Sequence, residues 1–183
     1  MKIRRLVTGV GITLGVSLLG MFLVGIVAAV ADQARIVYAT PEMYSPFLRT
    51  YTLTPVLDRF RSTKHSYSGG DGSGSGAGYG FTTHEREFHH FFVMKSSERP
   101  ALMAALVESV SSELSNTGAQ IVTETGSADE GVQFRYIAGQ SSGTVTIEPP
   151  SRPANARVPF LCPDEMPISV NIRIEEKWTK PGA

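Results

Sequence analysis

The segment SERPALMAALVESVSSELSNTG, residues 97–118, decides the fold of this chain. Apolar side chains recur along it at spacings of three and four residues, which predicts a helix with one buried stripe: Leu102, Met103, Leu106, Val107, Val110 and Leu114. Ser97 is the predicted N-cap, and Gly118 favours termination. Burial of each stripe residue is worth roughly 1.5–3 kcal/mol, so the helix must pack on another element.

A set of period-two patterns around this helix predicts the sheet on which it packs. Before the helix, residues 87–95 form a strand candidate that ends in the apolar run 91–94, which indicates burial on both faces. After it, apolar and polar residues alternate, and the predicted strands are residues 120–124, 132–136, 144–148 and 168–174. The expected fold class is α+β, with one helix on one face of a mainly antiparallel sheet of four to five strands.

The predicted order of elements is β-α-β-β-β-β within residues 81–183. This order resembles half of a ferredoxin-like fold followed by extra strands, without the second helix of that fold. Residues 149–167 hold six prolines and are expected to form an irregular loop.

The N-terminal region predicts a membrane-directing segment. Lys2, Arg4 and Arg5 precede 26 residues, 6–31, that carry no charge. As a helix this stretch would be about 39 Å long, which exceeds the roughly 30 Å hydrocarbon core of a bilayer. The basic residues place residues 1–5 in the cytoplasm and the rest of the chain outside, at the inner membrane and periplasm of a bacterium.

Two fates of this segment stay open. Its length favours a retained single-pass anchor, because the apolar core of a signal peptide usually has about 7–15 residues. The sequence Ala29-Val30-Ala31 instead fits a small-x-small cleavage site, after which the protein would be secreted. One Gly11-x-x-x-Gly15 pair could allow close packing between two such helices.

Two segments separate the hydrophobic stretch from the predicted domain. Residues 32–67 mix prolines, aromatics and arginines, and we expect an extended or partly helical connector that lies on the membrane interface or packs on the domain. Residues 68–80 hold seven glycines and three serines, which predicts a flexible linker. The spacing of its glycines fits no phosphate-binding loop.

Charge and cysteine content exclude several classes of protein. From residue 32 onward, 14 basic residues stand against 17 acidic ones, which is a poor match for a phosphate backbone, so we expect no nucleic-acid partner. Cys162 is the one cysteine, which rules out an intramolecular disulfide.

Two motifs resemble catalytic or metal-binding sequences. Residues 139–143 match Gly-x-Ser-x-Gly, but a strand follows where a serine hydrolase needs a helix, so we expect a polar hairpin turn. His84, His89 and His90 are the candidate metal ligands. Adjacent residues of a strand point to opposite faces, so His89 and His90 should diverge, and zinc needs three or four convergent ligands.

The sequence therefore predicts a membrane-tethered domain outside the cytoplasm, in a bacterial envelope, that serves as a non-enzymatic protein-interaction or structural module without a cofactor. Its expected partners are the membrane, through residues 6–31, and another protein or a second copy of the chain. One alternative is an exported domain that binds a small ligand or a metal. The other is a secreted enzyme, for which the acid pairs at 129–130 and 175–176 are available.

Overall fold

The computed structural model describes residues 19–30, 35–62, 68–153 and 161–181. Its strands are β1 (Ile36–Val37), β2 (Ser68–Tyr79), β3 (Phe81–Lys95), β4 (Gln120–Ser127), β5 (Gly131–Ala138), β6 (Ser141–Ile147) and β7 (Glu165–Thr179). Its α-helices are α1 (residues 19–30), α2 (Pro46–Thr50), α3 (Thr54–Leu57) and α4 (Arg99–Asn116), and two short 3-10 helices span Pro41–Met43 and Ser96–Glu98.

The strands form one seven-stranded antiparallel sheet in the order β1-β2-β3-β7-β6-β5-β4. Helix α4 follows β3 and carries the chain to β4 at the far edge. The hairpins β4–β5 and β5–β6 and the longer connection of residues 148–164 then return it to β7, which pairs with β3 along fifteen residue pairs. The α+β class and the order β-α-β-β-β-β after residue 81 are confirmed. The predicted count of four to five strands is wrong, because β1 and β2 add to the sheet beside β3.

Helix α4 buries the predicted stripe against the sheet. Leu102, Leu106, Val110 and Leu114 are fully buried, and Gly118 ends the helix with a φ of 76°, which glycine adopts without strain. The predicted N-cap at Ser97 is off by one residue, because the 3-10 helix Ser96–Glu98 places Glu98 at the cap position.

The predicted connector, residues 32–67, is part of the folded domain where it is described. Helices α2 and α3 place Phe47, Leu48, Tyr51 and Leu57 in the same core cluster as α4 and the sheet. Ser45 caps α2 by accepting a 3.1 Å hydrogen bond from the Leu48 N–H. The expectation that this segment packs on the domain is therefore confirmed for residues 35–62.

The predicted flexible linker is wrong for residues 68–79, which form β2. Ten consecutive residues of β2 pair with β3 without a register shift. The glycines and serines of this segment bury little side-chain area, which is why its composition resembles that of a linker. The strand is instead ordered by backbone pairing with β3 and by Asp71, whose Oδ1 lies 3.1 Å from Nε2 of His90. Gly78 is required by packing, because a Cβ atom there would lie 2.5 Å from the Phe81 ring.

Helix α1 is the described part of the predicted membrane segment. Its apolar side chains, including Met21, Phe22 and Val27, are exposed. Residues 1–18 and 31 lie outside the described residues, and with them most of the predicted segment and the possible cleavage site. Among the helices that are described, none combines the length and the apolar character needed to span a bilayer.

Candidate functional site

A row of five residues crosses the helix-covered face of the sheet on five neighbouring strands. It consists of Ser75, His84, Glu176, Gly143 and Tyr136, each directly opposite the next in register. We call it the buried polar row after its three buried side chains, those of His84, Glu176 and Tyr136; Ser75 at its β2 end is exposed. The rest of this face is mostly apolar, so a carboxylate and an imidazole here need specific partners.

Glu176 is the charged residue of this row, and its side chain is 2% exposed. The Ser45 N–H donates a 2.9 Å hydrogen bond to its Oε1, and the Tyr136 hydroxyl donates a 2.7 Å hydrogen bond to its Oε2. Both oxygens therefore accept charge-assisted hydrogen bonds, the kind of contact that makes a buried carboxylate tolerable. The bond from Ser45 also ties the start of α2 to β7.

Gly143 makes the contact between Tyr136 and Glu176 possible. It lies on β6, between the strands that carry these two residues, and a Cβ atom there would stand 2.5 Å from the Tyr136 ring. The ring therefore lies over bare backbone and reaches across one strand to the carboxylate. Burial raises the pKa of Tyr136 far above its ordinary value, and the neighbouring Glu176 charge raises it further.

His84 is the remaining titratable residue of the row, and it is 2% exposed. Its Nδ1 lies 3.4 Å from Oγ of Ser75, and its ring contacts the ring of Tyr44 edge-on with centroids 4.1 Å apart. Nε2 is buried, and no hydrogen-bond partner for it occurs among the described residues. Burial lowers the pKa of His84, an effect that the nearby Glu176 carboxylate partly offsets.

The opposite face of the sheet carries a groove of about 780 Å³. We call it the open-face groove. The side chains that line it from this face are Thr83, Glu85, Val122, Arg135, Ile137, Ser142, Thr144, Glu175 and Lys177, and Gly74 and Gly76 form its β2 side. Val122 and Ile137 are 54% and 46% exposed, so the groove combines charges of both signs with two solvent-accessible apolar side chains.

Charged side chains beside the groove are paired across strands. Glu85 and Glu175 stand directly opposite each other on β3 and β7, and Arg173 Nε lies 2.8 Å from a carboxylate oxygen of each. The Lys177 ammonium lies 4.2 Å from the centroid of the Phe81 ring. These contacts fix the positions of the charges without removing them from solvent.

The structure separates the three candidate metal ligands. His84 and His90 face the core, where His90 is paired with Asp71, while His89 lies on the open face against Asn171. The predicted divergence of the adjacent histidines is confirmed. Across the described residues, His, Cys, Asp and Glu side chains nowhere form a group of three that could hold a metal ion.

The Gly-x-Ser-x-Gly sequence forms a hairpin turn, as predicted. Strand β5 ends at Ala138, Gly139 has a φ of 62°, and β6 begins at Ser141. Ser141 is buried, and its hydroxyl donates a 3.5 Å hydrogen bond to the Met43 carbonyl rather than facing a base. The adjacent acids at 175 and 176 point to opposite faces of β7, so they do not form a carboxylate pair.

The buried polar row was missed in the sequence, although one signal for it was present. Ile168, Val170, Ile172 and Ile174 continue in register to Glu176, which placed that acid on the buried face. No comparable pattern indicated Ser45 or Tyr136 as partners of Glu176, because both are remote from it along the chain.

No family model matches the chain, and no curated protein or solved structure matches it significantly. The candidate site therefore has to be interpreted from its own geometry.

Proposed function

We propose that this chain is a membrane-tethered, non-enzymatic binding domain that holds a segment of a partner protein in the open-face groove. The observation that carries the proposal is the mixed lining of that groove. Glu85, Arg135 and Lys177 offer charges of both signs, and Val122 with Ile137 offers apolar area within the same surface. Protein interfaces combine an apolar centre with a polar rim in this way.

The lining also favours an extended partner segment. The groove crosses strands from β2 to β4, so an occupant would run across the strands and meet a different side chain at each one. Gly74 and Gly76 leave the β2 side of the groove without side chains, which gives the partner access to backbone groups there.

The buried polar row supports a binding role over a catalytic one. Both carboxylate oxygens of Glu176 accept internal hydrogen bonds, and Tyr136 is held neutral by burial. A general acid or base must instead reach a substrate proton directly or through one water molecule. The row contacts α2 and the sheet, so we assign it the role of fixing α2 on the core face.

The membrane tether rests on the sequence of residues 6–31 and on the exposed apolar side chains of α1. A helix of this composition that packs on nothing in the described part of the chain needs an apolar environment. The basic residues before the segment favour a domain outside the cytoplasm of a bacterium. Alkaline carbonate washing of membranes should leave the full chain in the pellet. An intact mass equal to that of a chain that begins at Asp32 would show cleavage and contradict the tether.

A pair of glycine variants tests the groove. A Cβ atom at Gly74 meets nothing within 4 Å, so Gly74→Val places a side chain in the groove without disturbing the core. Gly70 is equally open and lies on the same face of β2, but it does not line the groove, so Gly70→Val is the matched control. Thermal unfolding should confirm that both variants fold.

The readout is site-specific photo-crosslinking in the native host. A benzophenone amino acid at Thr144, in the groove, should form a discrete protein adduct that Gly74→Val abolishes and Gly70→Val retains. The same amino acid at Ser112, on the exposed surface of α4, should form no such adduct. An adduct of equal yield at both positions, or one that Gly74→Val leaves unchanged, would contradict the proposal.

The volume of the groove favours a second candidate, a domain that binds a small ligand. About 780 Å³ lies within the 300–1,000 Å³ range of ligand pockets. Native mass spectrometry of the protein released gently from membranes distinguishes the two. A bound small molecule that Gly74→Val removes would support this candidate, whereas a protein adduct at Thr144 supports the first.

A further inference from the structure

The two edges of the sheet differ in how they are protected. At one edge, β4 carries a β-bulge between Ile121 and Thr123, which disrupts further pairing. At the other, β1 covers only Gly78 and Tyr79 of β2. Among the described residues, no strand pairs with the outer edge of β2 from Ser68 to Ala77. Within the described part of the chain, that edge therefore presents a row of unpaired strand positions with backbone donors and acceptors.

This part of β2 lacks the basic side chains, prolines and β-bulges that often block pairing at a sheet edge. It contains no Lys, Arg or Pro, and its register with β3 is regular over ten residues. Its one charged residue is Asp71, which is already engaged on the core face: its carboxylate lies 3.1 Å from His90 and 3.6 Å from Arg86. An incoming strand would therefore meet neither a steric obstacle nor an uncompensated charge.

Two copies of β2 can pair in the antiparallel direction without placing like charges opposite each other. About a two-fold axis through Gly72, Gly70 stands opposite Gly74 and Asp71 stands opposite Ser73. An axis through Asp71 would set two like charges opposite each other, which is unfavourable. An axis through Ser73 would bring Ser68 opposite Gly78, where β1 already pairs.

We infer that the free edge of β2 pairs with β2 of a second copy of this chain, antiparallel about Gly72, to form a continuous fourteen-stranded sheet across a two-fold homodimer. Because the axis is perpendicular to the sheet, the open faces of both copies lie on the same side. The alternating glycines 70, 72, 74 and 76 then form a side-chain-free strip along the seam. This inference is independent of the partner proposed for the open-face groove.

Cysteine crosslinking of the full chain in detergent tests the register. In a Cys162→Ser background, Gly72→Cys should form an intermolecular disulfide, because its Cα atoms face each other across the axis at a distance that a disulfide spans. Gly70→Cys and Gly74→Cys should each crosslink weakly alone and efficiently when mixed. Thr125→Cys, on the other edge strand β4, is the control and should form no intermolecular disulfide.

Introducing a charge at Gly72 tests how strongly the same pairing holds the dimer together. A Cβ atom at Gly72 makes only an ordinary 3.9 Å contact, so Gly72→Lys should fold, and analytical ultracentrifugation should show dimerisation at least tenfold weaker than in the original chain. Mixing Gly72→Lys with Gly72→Glu should restore the dimer. A chain that is monomeric at all concentrations would overturn the inference. So would a dimer that these variants leave unchanged and that Gly11→Leu abolishes, because that dimer would form through the N-terminal segment.

Discussion

The hydroxyl of Tyr136 donates a 2.7 Å hydrogen bond to Oε2 of Glu176 from two strands away, across the bare backbone of Gly143. This contact connects β5 to β7 without passing through the strand between them. Since Glu176 also accepts a hydrogen bond from the Ser45 N–H, the same carboxylate joins the returning hairpins of the sheet to the start of α2. The fold thus uses one buried charge to position two elements that are remote in sequence.

Removal of the Tyr136 hydroxyl should destabilise the domain. In Tyr136→Phe, Oε2 of Glu176 stays buried and loses its donor, and a hydrogen bond to a charged group contributes about 1.5–3 kcal/mol. Urea unfolding should show a loss of that size in the free energy of unfolding. Tyr79 is 60% exposed, so Tyr79→Phe is the control, with an expected change within about 0.5 kcal/mol. Equal effects of the two substitutions would contradict a structural role for the contact.

The glycine at position 143 should be required for this contact. The Cβ atom of Gly143→Ala would stand 2.5 Å from the Tyr136 ring, and displacement of the ring should cost about 1–3 kcal/mol. Gly74→Ala is the control, because a Cβ atom there meets nothing within 4 Å. In the double variant Gly143→Ala, Tyr136→Phe the two losses should be less than additive, since both break the bond to Glu176.

Acidification should destabilise the domain through His84. Burial lowers the pKa of His84 in the folded state below its ordinary value of about 6.5, so the unfolded state binds more protons as the pH falls. The free energy of unfolding should therefore be highest above pH 6.5 and decrease below it, down to the folded-state pKa. His84→Gln should flatten this part of the profile. A slope in His84→Gln equal to that of the parent chain would contradict this assignment.

Alkaline titration should reveal two protected tyrosines. Burial raises the pKa of Tyr51 to about 12, above the ordinary tyrosine value of about 10, and burial also raises the pKa of Tyr136 strongly. Ultraviolet absorbance should therefore show a late phase of tyrosine ionisation, well above the ordinary value of about 10, that Tyr51→Phe reduces. The unfolded state releases these protons first, so stability should decrease as the pH rises above 10. A late phase that Tyr51→Phe leaves intact would contradict the burial of this ring.

The sequence was sufficient to predict an element wherever a local pattern of apolar residues is explained by the burial of one face. The stripe from Leu102 to Leu114 required a helix with one buried face, and the alternation from Ile168 to Ile174 required a strand with one buried face. Both predictions are confirmed, because burial of apolar area fixes the period of the pattern. The same reasoning separated His89 from His90, since neighbouring residues of a strand face opposite sides.

Composition was a poor guide for segments that are ordered by contacts distant in sequence. Residues 68–79 bury little side-chain area, which is typical of a linker, yet the structure places them in β2 because β3 supplies a long paired edge. Likewise, the mixed composition of residues 32–67 left open whether they lie on the membrane interface or pack on the domain, whereas the structure places Phe47 and Leu57 in the core. In both cases the stabilising partner is distant in sequence and leaves no trace in the segment itself.

The sequence by itself determined the helix, the strands after it, their order along the chain and the charge-free N-terminal stretch, because each depends on a periodicity or composition within one segment. Only the tertiary structure decided which strands are neighbours, that β1 pairs with two residues of β2 at the edge of the described sheet, and that Tyr136 reaches Glu176 over Gly143. These features depend on the register between strands. A register is set by the packing of the whole sheet, and it is not encoded in any one of the paired segments.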